Sequence, residues 1–306
     1  MHHICIEPTT FEILSIQDKQ NPYIDIGHTV DKTRVNAQHK ALLKALGSAV
    51  SYRLPPTKTP LPDIVFVANC GLCSAVSYRL PPTKTPLPDI VFVANGGLSL
   101  PRLQHPLILL PSMKFAQRKA ELPYLRGMYQ SLGLPMVEFP TKSVFEGQAE
   151  LKWFFGGNLA VCGPGHRSTR QSFRDLAVFF DYIYGIHGLD PPRLLITPLI
   201  SADYYHLDVA MLEVDERTCI VHRKSMTAAS IAALRKAGLT VHVIDTKDSF
   251  CLNAVITDGT LITHRLAEEG LAAKLKKLTG CQRLIEVDTS EFEKSGGSVR
   301  CMTLTV

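Results

Sequence analysis

Five times along this chain a helix-like pattern ends on a glycine and is followed, within a few residues, by an apolar strand-like run. That recurrence limits the folds open to it. The helical stretches cover residues 31–46 before Gly47, 114–132 before Gly133, 168–184 before Gly185, 227–237 before Gly238 and 266–279 before Gly280. The runs that follow include 49–52, 135–139, 193–197, 240–244 and 283–287. Each unit has one apolar helix face and apolar strands, and none can bury them alone. A ring of five units, helices outside and strands converging on an axis, is the simplest shared core. A doubly wound parallel sheet is the competing arrangement, and periodicity does not separate the two.

One segment interrupts the regularity. Residues 48–69 recur without a single change as residues 74–95. Identity that extends through loop positions has no cause in folding, so it reads as a tandem duplication in the gene. The fold has one place for the segment, and one copy must be spare. The second copy leads without interruption into Gly96-Gly97-Leu98, which favours it for the core position and leaves residues 48–73 displaced. The whole of 1–306 then reads as a single catalytic domain carrying a duplicated stretch, 48–73 and 74–99. Cys70 and Cys73 close the first copy as a lone Cys-x-x-Cys, a weak metal signal without a second pair.

Composition excludes more than it identifies. With 306 residues and 45% hydrophobic content the chain can bury a large core. Its net charge of +5 comes from 33 basic and 28 acidic residues without a dense basic block. Nucleic-acid binding is therefore not expected, only a weak attraction for small anions. No apolar run approaches the length of a membrane span, and no signal peptide is expected ahead of the first strand-like segment. The eight irregularly spaced cysteines suit a reducing, cytoplasmic setting better than a disulfide framework.

Five local features carry chemistry. Gly296-Gly297 leads into a strand-like run that contains Cys301, and glycines there allow a ligand or another backbone to approach a cysteine closely. A lone cysteine in an apolar run is ordinarily structural, so the other features matter. In Tyr205-His206-Leu207-Asp208 a strand period of two would place His206 and Asp208 on one face, a proton carrier beside a cation-binding group. Glu146 precedes a glycine in Phe145-Glu146-Gly147. Asn95 closes an expected apolar strand, 89–95, before two glycines. Arg167 lies in a glycine-containing loop before a helix start, where an anion could be held.

In order and combination these segments resemble the guanidino-group-modifying enzymes: arginine deiminases, dimethylarginine dimethylaminohydrolases, arginine dihydrolases and amidinotransferases. The resemblance also includes Asn21-Pro22-Tyr23 and Arg118 followed by Glu121, and it covers nearly the whole chain. It implies the pentein fold, a five-bladed α/β propeller of five pseudo-repeated units. It implies Cys301 as nucleophile, His206 as general acid and base, Glu146 as its orienting carboxylate and Asp208 as a guanidinium ligand. Arg118 and Arg167 are implied as partners of the substrate carboxylate, and Asn95 and Asn21 as further substrate contacts. Asn95 stands where many relatives carry an acid, and with Asn21 it looks most like the arginine dihydrolase branch. Gln148-Ala149-Glu150 departs from the Gly-Asp that relatives often carry there.

The chemistry accounts for these residue types. A guanidinium carbon is resonance-stabilised, so it must be held flat by hydrogen-bond acceptors and attacked by something more nucleophilic than water. A thiolate meets that need, and a cationic substrate beside the thiol favours ionisation. The expected partner is a small guanidino substrate, with no organic cofactor and no metal, and a homo-oligomer is compatible with the reading. Transfer of the amidino group to an amine would use the same groups. A pentein disabled by the duplication and kept for binding arginine-like ligands is the alternative from outside catalysis.

Overall fold

The computed structural model describes residues 2–17, 20–47, 50–52, 75–83 and 85–306. Among the described residues the named strands form five small sheets. Four share one plan, in which a strand pairs antiparallel with the next, a helix follows, and a third strand returns parallel to the second. Leu151–Phe154, Leu159–Cys162, the helix Arg170–Gly185 and Arg193–Ile196 form one such unit. The same plan recurs with the helices Ala228–Lys236 and Leu271–Thr279, and with the pair Ala116–Lys119 and Leu122–Ser131. This is a mixed α/β fold of five units, and a single doubly wound sheet is ruled out for the described strands.

The fifth sheet joins the two ends of the chain. His3–Ile6 pairs antiparallel with Leu304–Thr305 and parallel with Ala75–Tyr78. By the plan of the other units, the strand after the helix Lys32–Ala45 should lie directly beside His3–Ile6. The first-copy strand Val50–Tyr52 comes next in the chain, yet the second copy holds that place. Val50–Tyr52 lies outside it and pairs parallel with its own duplicate, Val50 opposite Val76 and Tyr52 opposite Tyr78. Identical strands paired in parallel and in register put like residues opposite one another, an arrangement familiar from stacked β-segments. The rest of the first copy, including Asn69, Cys70 and Cys73, lies outside the described residues.

Helix boundaries follow the caps. Asp31 accepts hydrogen bonds from the Thr33 and Arg34 amides, and Thr169 forms a reciprocal box with Ser172. The expected helix 114–132 is two helices, because Pro123 in the first turn of the second starts a new helix after Glu121. The stretch expected at 266–279 begins only at Leu271, since Gly270 is left-handed at φ 76°. No helix among the described residues is long and apolar enough to cross a membrane.

Candidate active site

Asn21, Asn95, Arg118, Arg167, His206 and Cys301 line one pocket, while Glu146 and Asp208 lie fully buried behind His206 and Cys301; three of the segments take other conformations than the periodicity suggests. Cys301 lies in a turn three residues before the last strand, not within a strand. The segment 89–95 is a set of turns ending in a 3-10 helix, Val93–Gly96, not a strand. His206 is extended, but Leu207–Ala210 is a single helical turn. His206 and Asp208 therefore do not share a face through strand alternation; the turn sends the two side chains to different partners.

Close backbone approach assembles the site. Gly147 has φ 62°, and a Cβ there would lie 2.6 Å from the Gly97 carbonyl oxygen and 3.0 Å from that of Asn95. Only glycine lets the Glu146 loop rest on the Asn95 turn. A Cβ on Gly297 would lie 2.1 Å from the Phe92 ring, so the glycine pair before Cys301 provides the tight packing its sequence suggests. The Ala94 amide donates to the Cys301 carbonyl at 3.0 Å, tying the turns together.

Cys301 is 3% exposed. Its Sγ accepts from Asn253 Nδ2 at 3.1 Å and lies 3.5 Å from Asp208 Oδ2. Burial and the neighbouring Asp208 carboxylate push the thiol well above its usual range, so at rest it is protonated. His206 Nε2 is 2.8 Å from Glu146 Oε2, 3.3 Å from Asn95 Nδ2 and 3.7 Å from Glu150 Oε1. Burial opposes ionisation of Glu146, but Arg167 at 3.1 Å and His206 overcome it and hold the carboxyl below the usual range. An ionised carboxylate only accepts, so Nε2 carries the hydrogen and Nδ1 is the basic nitrogen of the ring. Burial lowers the His206 pKa against the pull of Glu146, which leaves the resting imidazole neutral.

The arginines are buried and braced. Arg167 donates to Glu146 and to the Gln20 carbonyl, with its guanidinium over the Phe115 and Tyr205 rings. Arg118 pairs with Glu121 at 2.8 Å and donates to the Phe92 carbonyl and Asn95 Oδ1. Asn21 is half-buried and binds the Ser295 carbonyl at 3.2 Å. With Asn95, His206 and Cys301, these three residues line the same pocket.

Three further residues at the site were given no role by the sequence. Asn253 holds the sulfur from a loop without a motif, and nothing local distinguishes it. Asp89 lies inside the duplicated segment and lines the pocket. Gln17 and Ser295 hold one of its carboxylate oxygens, and Oδ2 has no partner among the described residues. Glu150 is a second buried carboxyl one turn beyond Glu146, and its spacing was the available clue. Burial and repulsion from Glu146 raise its pKa well above the carboxylate range. Glu146, Glu150 and His206 have ligating atoms within 4.8 Å of one another. The Arg167 guanidinium already occupies the charge-neutralising place beside Glu146, so a cation there would have to displace it.

A buried thiol between an amide donor and a carboxylate, with a neutral histidine on a second carboxylate across the pocket, defines a class of enzyme. The chain belongs to the guanidino-group-modifying superfamily. It is 30% identical over 292 residues to the N(G),N(G)-dimethylarginine dimethylaminohydrolase of Mycobacterium tuberculosis, spanning 94% of this chain and 80% of that protein. It is 26% identical over 292 residues to the bifunctional arginine dihydrolase/ornithine cyclodeaminase AgrE of Nostoc, spanning 94% of this chain but 35% of that longer protein. Among solved structures, the product-bound N-terminal domain of the cyanobacterial arginine dihydrolase ArgZ matches with a TM-score of 0.75 at 21% identity, covering 99% of this chain and 96% of that domain. A dimethylarginine dimethylaminohydrolase adduct with S-methyl-L-thiocitrulline matches with a TM-score of 0.68 at 18% identity, covering 99% and 98%. Both likenesses are to pentein structures. No family model matches the chain.

Proposed function

We propose that this protein hydrolyses the guanidino group of arginine or an N-substituted arginine through a covalent amidino intermediate on Cys301. One observation carries the reading: Cys301 held by Asn253 beside Asp208, in a pocket whose other wall is His206 on Glu146. Asp208 Oδ1 and Asp89 Oδ2 have no partner among the described residues, and a guanidinium would supply both with N–H donors. Arg118 and Arg167 supply cations for the substrate carboxylate. Arrival of the cationic group lowers the cost of ionising the thiol, which is high in the empty pocket.

The thiolate then adds to the guanidino carbon. The imidazolium formed when His206 Nδ1 takes the thiol proton returns that proton to the leaving amine as the C–N bond breaks. A water that gives its proton to the same imidazole attacks the amidino carbon, and the C–S bond breaks to release the ureido product and the thiolate. Asn95 contacts His206 with a neutral amide and adds no second negative charge. That supports the dihydrolase outcome, in which a further hydrolysis leaves ornithine; a relative of this type is known in complex with L-arginine.

We further infer that the five sheets close into a propeller, supported by the pairing of His3 with Thr305 at the two chain ends. Residues 1–306 then form one catalytic domain, with residues 48–73 as the spare copy. The six described cysteines are free, which supports a reducing, cytoplasmic setting. Mass spectrometry of the protein quenched during turnover of arginine and of dimethylarginine tests the central claim. An amidino adduct on Cys301 is expected, and turnover with no adduct on any cysteine would overturn the covalent route.

A further inference from the structure

A second cavity, of about 330 Å³, lies behind the catalytic segments and shares no lining residue with the pocket of Cys301. Its wall is built from their chain neighbours: Arg300 precedes Cys301, Ala254 follows Asn253, and Gln148 and Lys152 flank Glu150. Most of the lining is apolar, including Leu151, Trp153, Leu212 and Val255.

Set into that apolar wall are two cations and one carboxylate. Lys152, its side chain 1% exposed, has Nζ 2.8 Å from Glu213 Oε2, and Arg300 donates to Glu213 Oε1 at 3.0 Å. Lys152 Nζ is in ion-pair contact with Glu213, and no further acceptor for it is found among the described residues. Arg300 is further held by the Thr303 carbonyl and Thr305 Oγ1. His3 Nε2, also buried and lining the cavity, has no partner among the described residues either. Burial and Arg300 keep His3 neutral, its pKa lowered to about 3. Burial and Arg300 lower the Lys152 pKa against the pull of Glu213 and Asp208, so the positive charge of Lys152 and Arg300 is only partly offset here and a bound anion would offset the rest. Beyond them, exposed Asp215 and Glu216 form the outer lip.

We propose that this cavity binds a small carboxylate with a short apolar body, its carboxylate on Lys152 and Arg300 and its hydrocarbon against Leu151, Trp153 and Val255. The site is distinct from the guanidino pocket and goes beyond the hydrolase reading. Its ligand would be either a simple branched acid or an apolar α-amino acid, whose ammonium the acidic lip would receive.

Trp153 is the chain's single tryptophan and lines this cavity alone, so its fluorescence reports occupancy here and not at Cys301. Titration of the full chain with 3-methylbutanoate and, separately, with L-leucine is expected to give a saturable one-site change for at least one of them. The tighter ligand identifies the source. Lys152→Met should weaken binding by at least about tenfold through loss of a charge-assisted contact. Glu213→Gln removes the competing carboxylate and should tighten binding by about threefold or more. A purely structural role for these residues predicts no such opposite effects. If Lys152→Met does not fold, the sign of the Glu213→Gln change decides. No saturable response to either ligand, undiminished binding in Lys152→Met, or weaker binding in Glu213→Gln would overturn the proposal.

Discussion

Asn253 holds Cys301 from two sides: Nδ2 donates to Sγ at 3.1 Å, and Oδ1 accepts from the Cys301 amide at 3.2 Å. The same oxygen accepts from the Arg300 amide at 3.0 Å, so one side chain orders the turn and faces the nucleophile. A donor aimed at sulfur favours the thiolate over the thiol, against burial and Asp208. Asn253→Ala is therefore expected to move the alkylation profile of Cys301 with iodoacetamide to higher pH and to lower kcat by about tenfold to a hundredfold. An unchanged alkylation profile would remove Asn253 from this role.

Cys301→Ser should abolish turnover while leaving arginine binding largely intact, because a hydroxyl of similar size is far less ionised than a thiol. Steady-state rates and calorimetric binding measure the two effects. A residual rate above about a tenth of the native value would sink the nucleophile assignment, since losses of this kind are usually many orders of magnitude.

His206→Ala and Glu146→Gln should differ in degree. The first removes the proton carrier and is expected to cost about a hundredfold or more in breakdown of the Cys301 adduct. The second removes only the carboxylate that orients it, and should cost less. Quenched-flow mass spectrometry gives adduct lifetime directly. Equal lifetimes in the two variants would argue against these separate roles.

Glu150 carries a stability consequence with a definite sign. Its folded pKa is raised well above the unfolded value of about 4.3 by burial and by Glu146. Its contribution to stability is thus complete below about pH 4.3 and is lost as pH rises through the folded pKa, because the folded chain retains a proton that the unfolded chain releases. Glu150→Gln removes this loss. Thermal unfolding should show the variant gaining on the native protein between pH 5 and pH 8, by a shift on the order of 2 °C. A gap that is constant across that range would contradict the raised pKa.

Deleting residues 48–73 joins Gly47 to Ser74 and leaves the strand Ala75–Tyr78 beside His3–Ile6, where it already lies. Activity on arginine should be preserved or increased, since Asn95, Asp89 and Arg118 all lie after the junction. Loss of activity in a folded deletion variant would show that the first copy supports the site.

The helix-plus-strand units and the reactive residue types can be read along the chain without the fold. Glycine stops and caps such as Asp31, Thr169 and Thr227 act over one or two turns, so the helices could be read locally and four of the five begin within a few residues of expectation. Cys301, His206, Glu146, Asp208, Asn95 and Arg167 stood out by residue type and local context, whereas Asn21 and Arg118 entered only through the family resemblance. Tertiary structure decided how they are presented. Turn conformations at Asn95 and Cys301 and the helical turn after His206 are imposed by contacts such as Ala94 with Cys301, between positions far apart in the chain. Asn253 and Asp89 acquire their places by the same long-range packing, which leaves no local pattern. The duplicated segment is the clearest case: two identical sequences have identical intrinsic propensities. Only the surroundings of each copy could set Ala75–Tyr78 beside His3–Ile6 and Val50–Tyr52 at the edge.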